Sequence, residues 1–393
     1  VAVSLPAGWS SSWVDVSFNS TTGRLEFRLT ADGVDEMQRL GLEVESLVDF
    51  VHVTVTDRTS GSTFEYNVEF VATDNQTFDS AAHDSKYGGE HLDNIGEFHQ
   101  GQNNGGSYSV ISSMQDDEII MNETVIGGSS IHASGSADPA QMADDFNTIK
   151  LNAGVANTTQ DSITHITSAD GTLDVADGVI VQGRGAENVI AMGRGSVDVY
   201  NKFSGDGVSA AHNGKNDISG GTVDITATIG KGLSASTEGA NNIATSGDVT
   251  IASTNRSESS EVQSSAIFCG SYGNSSIKAD SGGVTVTADA AGDINVSSYG
   301  INAAFKCTNS INADSGDVTV TATAVGTSDV RSYGIYSGFE GINSITTKSG
   351  DVTLTGEGLD SNRGYSYGYG MIAEDASSNT IATDSGSVTV TGS

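Results

Sequence analysis

From about residue 160 onward, apolar residues recur in short alternating runs rather than with the 3.6-residue spacing of a helix. A run rich in valine and threonine opens two places after a glycine, at Leu173, Val197, Val223, Val249, Val284, Val318, Val352 and Val388. The glycines are Gly171, Gly195, Gly221, Gly247, Gly282, Gly316, Gly350 and Gly386, and successive units are 24, 26, 26, 35, 34, 34 and 36 residues long. Recurrence at such lengths marks a repeat architecture. Each unit holds two more apolar positions. The first follows a glycine or alanine, at Val179, Val208, Leu233, Ile267, Ile301, Ile335 and Met371. The second comes 10 residues later, at Val189, Ile218, Ile243, Ile277, Ile311, Ile345 and Ile381. From there to the next valine is 5 to 8 residues, whereas the interval from the valine to the first position grows from 6 to 19. That growth predicts long loops at one corner of the last four units.

Three short strands per unit, such as Val318-Thr319-Val320-Thr321, cannot bury an apolar face alone, but stacked coils can. The pattern predicts an all-β chain whose main part is a parallel β-helix with rungs about 4.8 Å apart. A sandwich of hairpins would need two-residue turns such as Asn-Gly between adjacent strands, which the chain does not place there. The recurrent glycines point to a positive φ or a close backbone approach. Asn216, Asn241, Asn309, Asn343 and Asn379, with Ser275 at the same place in one unit, predict a buried amide ladder.

The first 80 residues have a different character and predict a small β-sandwich-like module, with strands at Trp13–Phe18, Arg24–Thr30, Phe50–Thr56 and Ser62–Ala72 and a short helix at Asp35–Gly41. Residues 81–107 form a polar, glycine-rich linker, and 108–393 the β-helix. Its first, irregular coils are Ile119–Val125, Ser130–Ala133, Thr148–Leu151 and Ser162–Thr167, with a capping helix at Ser134–Asp145. The linker holds His83, His91 and His99 among carboxylates, but no HExxH or cysteine pair accompanies them, so a linker is the simpler reading.

Composition narrows the partners. With 50 acidic and 17 basic residues the net charge is −33, which disfavours nucleic acid and anionic membrane surfaces. Aromatics make up 6% of the chain, too few for a large globular core but enough for a thin one of Val, Ile and Ala. No run approaches the roughly 20 apolar residues of a membrane span. A start at Val1 and an end just after the strand at Val388 lead us to expect a processed or excised piece of a longer chain. Cys269 and Cys307 lie one coil apart but four residues out of register. Two buried thiols, or a disulfide formed across a bend in the coil, remain open.

Stacking suggests the candidate sites. Asp317 and Asp351 share a column with Asp248, and Asp280 and Asp314 share one with Asp384. Like charges about 5 Å apart repel, and calcium could bridge them, making structural calcium the expected cofactor. The nonapeptide GGxGxDxUx of a calcium β-roll is not present. A second column holds Tyr299, Tyr333 and Tyr369, near the long-loop residues Arg256, Arg331, Arg363, Tyr365 and Tyr367. Aromatic rings beside Arg and Asp suit a carbohydrate, and an aromatic stack that merely stabilises the corner is the plainer alternative. Paired carboxylates of a glycoside hydrolase, or a basic residue such as Arg331 beside calcium in a polysaccharide lyase, describe the competing enzyme class. The units stay alike where an active site would have to diverge, so we expect no enzyme.

The pattern Val53-Thr-Val-Thr-Asp57-Arg-Thr-Ser-Gly61-Ser-Thr-Phe64-Glu-Tyr66-Asn-Val68-Glu-Phe70-Val-Ala-Thr-Asp74-Asn75 resembles the closing hairpin of cadherin-like or VCBS-type β-sandwich modules in large secreted bacterial surface proteins. In that family, carboxylates at module ends hold calcium, which implies Asp57, Asp74 and Asn75 as ligands. In repeat style the chain is similar to the passenger regions of large repetitive bacterial adhesins. That resemblance implies an extracellular, cell-surface location, an adhesive or structural role, and host or matrix glycans or proteins as partners. Alternatively, open rung edges could stack end to end, so that the chain self-associates into a filament. The Thr-x-Thr array at Thr285/Thr287, Thr319/Thr321, Thr353/Thr355 and Thr389/Thr391 also resembles the ice-binding face of β-helical antifreeze proteins. Threonine is equally what a solvent-facing strand ordinarily uses.

Overall fold

The computed structural model describes residues 118–121, 124–133, 148–168, 171–202, 205–257, 261–360 and 365–393, and ahead of these the backbone of seven strands. Among the described residues every regular element is a strand. Three parallel sheets of eleven, ten and nine strands are built by coils that give one strand to each in turn, so the main body is a parallel β-helix. We call them the valine, asparagine and tyrosine sheets after a residue that recurs in each. Ahead of it, Val14–Asn19 and Arg24–Leu29 pair antiparallel, and Val51–Thr56 pairs antiparallel with Ala2–Ser4 on one side and Thr63–Val68 on the other. The expected helices at Asp35–Gly41 and Ser134–Asp145, and the three linker histidines, lie outside the described residues.

In the valine sheet each landmark pairs with the next, from Leu173 with Val197 through Val352 with Val388. The column continues upstream through Ile149 and Ile119 to Phe78, in coils that lack the glycine landmark. The tyrosine sheet stacks Val179, Val208, Leu233, Ile267, Ile301, Ile335 and Met371 in one line. In the asparagine sheet the line runs Ile190, Ile218, Ile243, Ile277, Ile311, Ile345, Ile381. Val189, the residue expected there, points outward and is half-buried, because strand side chains alternate and a shift of one residue reverses the face. Ile190 takes the core place. These three apolar columns form one continuous core along the rod.

The long intervals of the last units are not loops. They extend the valine- and tyrosine-sheet strands, as in Val284–Ala291 and Ile294–Ala303 or Val318–Gly326 and Ser328–Ser337. The extensions face one another as a two-layered wing with its own small core of Val262, Ala290, Val296, Ala324 and Val330. Inside it Ser264, Ser298 and Ser332 are buried and donate to the carbonyls of Ser253, Ala288 and Ala322 across the wing, at 3.0, 2.7 and 2.7 Å. Alternation carried on from the core kept these residues in strand, and small side chains let the two layers approach. In the valine sheet core and wing share one alternation, but in the tyrosine sheet they are out of phase. The inward residues Val296 and Ser298 precede Gly300, after which Ile301 and Ala303 point inward. At Gly300 a side chain would strike Val320 and the Gly334 carbonyl, which is why a glycine precedes this landmark. At the valine corner Gly171 takes a φ of 109°, whereas further along close approach explains the glycine: a Cβ on Gly316 would fall within the Gly282 carbonyl, and one on Gly350 within that of Gly316.

The amide ladder forms. Asn188 donates to Asn216 at 3.0 Å and Asn216 to Asn241 at 2.8 Å, and beyond Ser275 Asn309 donates to Asn343 and Asn343 to Asn379, both at 2.9 Å. Each amide also donates to the carbonyl of the penultimate residue of the tyrosine-sheet strand of its own coil, as Asn343 does to Tyr336 at 2.9 Å. At the break, the buried hydroxyl of Ser275 and the amide oxygen of Asn309 have no partner. Asn343→Ala should therefore cost about 2–3 kcal/mol, since it strands the partners of several bonds. Ser275→Asn should add about 1 kcal/mol by closing the gap. Urea unfolding of the two variants checks both, and a Ser275→Asn variant weaker than the parent would contradict the ladder account.

Candidate binding face

The tyrosine landmarks meet as expected. Tyr299, Tyr333 and Tyr369 are register partners on successive coils, with ring centroids 4.9 and 5.3 Å apart and planes within 12° and 9°. Like residues in a parallel sheet repeat at the rung spacing, so the rings pile up along the rod. From Tyr369 the array turns along the strand Ser366–Ala373 to Tyr367 and the residue ahead of that strand, Tyr365, at 6.2 and 6.4 Å with planes within 9° and 5°. Every second residue of a strand lies on one face. Rings nearly parallel to that of Tyr369 therefore repeat along the strand on the same face. On the last described coil Tyr369, Tyr367 and Tyr365 are 36%, 42% and 73% exposed, as are the core-column residues Met371 and Val388 of that coil, at 41% and 45%.

Arg331 is the register partner of Tyr367 and forks onto Asp329, with Nε to Oδ1 at 2.9 Å and Nη2 to Oδ2 at 3.1 Å. The Asp329 carboxylate raises the Arg331 guanidinium above its ordinary value, so it carries its charge throughout. Arg363 lies outside the described residues. Arg256 does not join the group: it sits on the valine sheet, in register with Ala291.

One member of this group, and a second aromatic group beside it, were not evident from sequence. Tyr336 packs edge-on against Tyr299 and tilted against Tyr333, at 5.6 and 5.4 Å, and its hydroxyl donates to Glu374 at 2.9 Å. Burial, then the Glu374 carboxylate, pushes the Tyr336 phenol up to about 12. Its position one place after the landmark Ile335, the outward place by alternation, was the available signal. Phe305 and Phe339 stack at 5.4 Å beside Lys306, with Tyr272 edge-on to Phe305 at 5.8 Å, forming a second aromatic group at the neighbouring corner.

The aspartates are engaged one by one. Asp248, Asp317 and Asp351 each accept the backbone N–H of the next rung, from Gly283, Asp351 and Ser387, at 2.8, 2.8 and 2.7 Å. The amide and hydroxyl of Ser387 hold the Asp351 carboxyl below its usual range. Asp280 pairs with Lys278 at 2.6 Å and Asp314 with Lys348 at 2.8 Å. Asp57, Asp74 and Asn75 lie outside the described residues. Among the described residues no three His, Cys, Asp or Glu side chains converge as a metal site would require. The threonines form two outward columns, Thr285-Thr319-Thr353-Thr389 and Thr287-Thr321-Thr355-Thr391.

Comparison with known proteins brings no match: no family model fits the chain, and no curated protein or solved structure is significantly similar to it.

One acidic column carries a cation only at its start, where Lys150 is the register partner of Asp174. Asp174, Asp198 and Asp224 are direct register partners on the outer face of the valine sheet. Burial, then the neighbouring Asp224 and Asp174, raises the Asp198 carboxyl above the ordinary value of 3.8. A carboxyl raised by folding supports the fold fully when protonated, and that support is lost as pH climbs through the folded-state value. Asp198→Asn should therefore raise the melting temperature at pH 7, and the gain should shrink to nothing as pH falls below about 4. Melting curves across that range test it, and a gain independent of pH would contradict the column account.

Proposed function

We propose that this chain is the rigid, adhesive part of an extracellular surface protein, and that its tyrosine face binds carbohydrate. The observation that carries the reading is the row of nearly parallel rings of Tyr365, Tyr367 and Tyr369, here called the shelf, beside the Arg331–Asp329 fork. Flat ring faces match the C–H faces of a sugar, while phenol hydroxyls and a charged fork supply hydrogen bonds at the rim. The shelf is pre-organised. Tyr369 rests on Tyr333 and Tyr333 on Tyr299, so little side-chain freedom remains to be lost on binding. The net charge of −33 favours neutral or cationic glycans over sulfated ones. The uniform, hydrogen-bonded coil supports the structural half of the proposal, since rods of this kind hold a surface at a distance without a hinge.

A glycan array combined with a reducing-end assay on polysaccharides tests the reading. Binding without turnover is the expected result. Tyr367→Ala, at an exposed position, should weaken the retained glycan about tenfold or more while leaving the melting temperature unchanged. Release of reducing ends would replace the adhesin with a carbohydrate-active enzyme, and silence in both assays would remove the glycan half of the proposal.

A further inference from the structure

The corner between the tyrosine and asparagine sheets carries two cysteines that the repeat itself singles out. Near the end of successive tyrosine-sheet strands, Ala210, Ala235, Cys269, Ala303 and Ser337 stack in register. Past the turn, the residue directly ahead of each asparagine-sheet strand is Gly214, Gly239, Gly273, Cys307 and Gly341. Cysteine replaces the glycine in the coil that follows the one where cysteine replaces the alanine.

Geometry explains why these two places change together. A Cβ built on Gly273 lies 3.1 Å from the Cβ of Ala235 in the coil below, and one built on Gly341 lies 3.1 Å from that of Ala303. The residues at the same two places in the coil between are Cys307 and Cys269. With a shift of a few tenths of an ångström their Cβ atoms reach the roughly 3.5–4.5 Å of a disulfide. Sequence spacing set the pair four residues out of register, and the turn through Ala304 and Lys306, where Lys306 takes a φ of 46°, absorbs the difference. Both cysteines are free and buried, and form a cluster of their own with Ala303. The Cys269 thiol donates to the Thr308 carbonyl at 3.7 Å. Hydrogen bonding between the thiols pushes Cys269 up and draws Cys307 below its ordinary value.

The asparagine ladder fails at the same level. Ser275, in the coil of Cys269, lies between Asn241 and Asn309, and its hydroxyl is unpartnered. We propose that Cys269 and Cys307 form a disulfide that staples two successive coils where the amide ladder is broken. The reaction is thiol–disulfide exchange with a small-molecule disulfide such as oxidised glutathione. The Cys307 thiolate attacks one of its sulfurs and expels the first thiolate, and the Cys269 thiolate then displaces the second. The two cysteine sulfurs give up two electrons, the small disulfide is reduced to two thiols, and these take the two protons.

To test this, the full chain is unfolded under reducing conditions, refolded in a glutathione redox buffer, denatured and alkylated for mass spectrometry. The expected product has no alkylatable thiol, no glutathione adduct and one peptide pair linking Cys269 to Cys307. Reduction should then lower the melting temperature by on the order of 10 °C. The double variant Cys269→Ala, Cys307→Gly carries the residues of neighbouring coils, and should melt at one temperature with or without reductant. Two alkylatable thiols, glutathione adducts or disulfide-linked dimers would overturn the proposal. A bond whose reduction leaves melting unchanged would overturn its role as a staple.

Discussion

Each strand of the β-helix hydrogen-bonds to its counterparts one coil below and one coil above, so a residue meets its own equivalent at a rung spacing of about 4.8 Å. Whatever a unit places at one position is thereby concentrated into a column. Apolar residues become a continuous core, and glycines become a seam where backbones approach too closely for a Cβ. Amides become a ladder, and carboxylates either cap the next rung or, at Asp198, press on their neighbours. The same constraint that adds favourable contacts in register also adds unfavourable ones, so each column has to resolve its own chemistry.

The wing shows how a repeat grows without losing that register. Residues added between the valine and tyrosine landmarks keep the alternation, and their inner positions are Ala, Gly, Ser and Val. Two sheets can then close on each other, with serine hydroxyls bonding across the gap. The wing carries the outward tyrosines beyond the core coil, so the aromatic shelf is held by two packed layers rather than by a mobile loop.

The Cys269 corner illustrates how a repeat reports its own exceptions. A single substitution in one column is noise, but two substitutions at places that only stacking makes adjacent describe one physical unit. Ser275 at the same level adds a third departure, and its buried hydroxyl, without a partner, marks where the ladder's cohesion is missing.

Much of this was legible along the chain. The unit lengths, the valine and isoleucine landmarks and the asparagine position were readable because a parallel stack turns a periodic pattern directly into a column, with no long-range pairing left to guess. Val189 against Ile190 shows the limit: where two apolar residues adjoin, periodicity leaves the inward one undetermined, and neighbouring coils settle it. Sequence likewise determined that the last units are longer, but not that the added residues fold back as a wing, which depends on two extensions finding each other across the coil. Nor could it join Cys269 to Cys307 or set Tyr336 against Tyr299 and Tyr333, because those contacts cross turns whose path is fixed only when the coils are stacked. Register along the rod is encoded locally; closure around it is a property of the assembled coil.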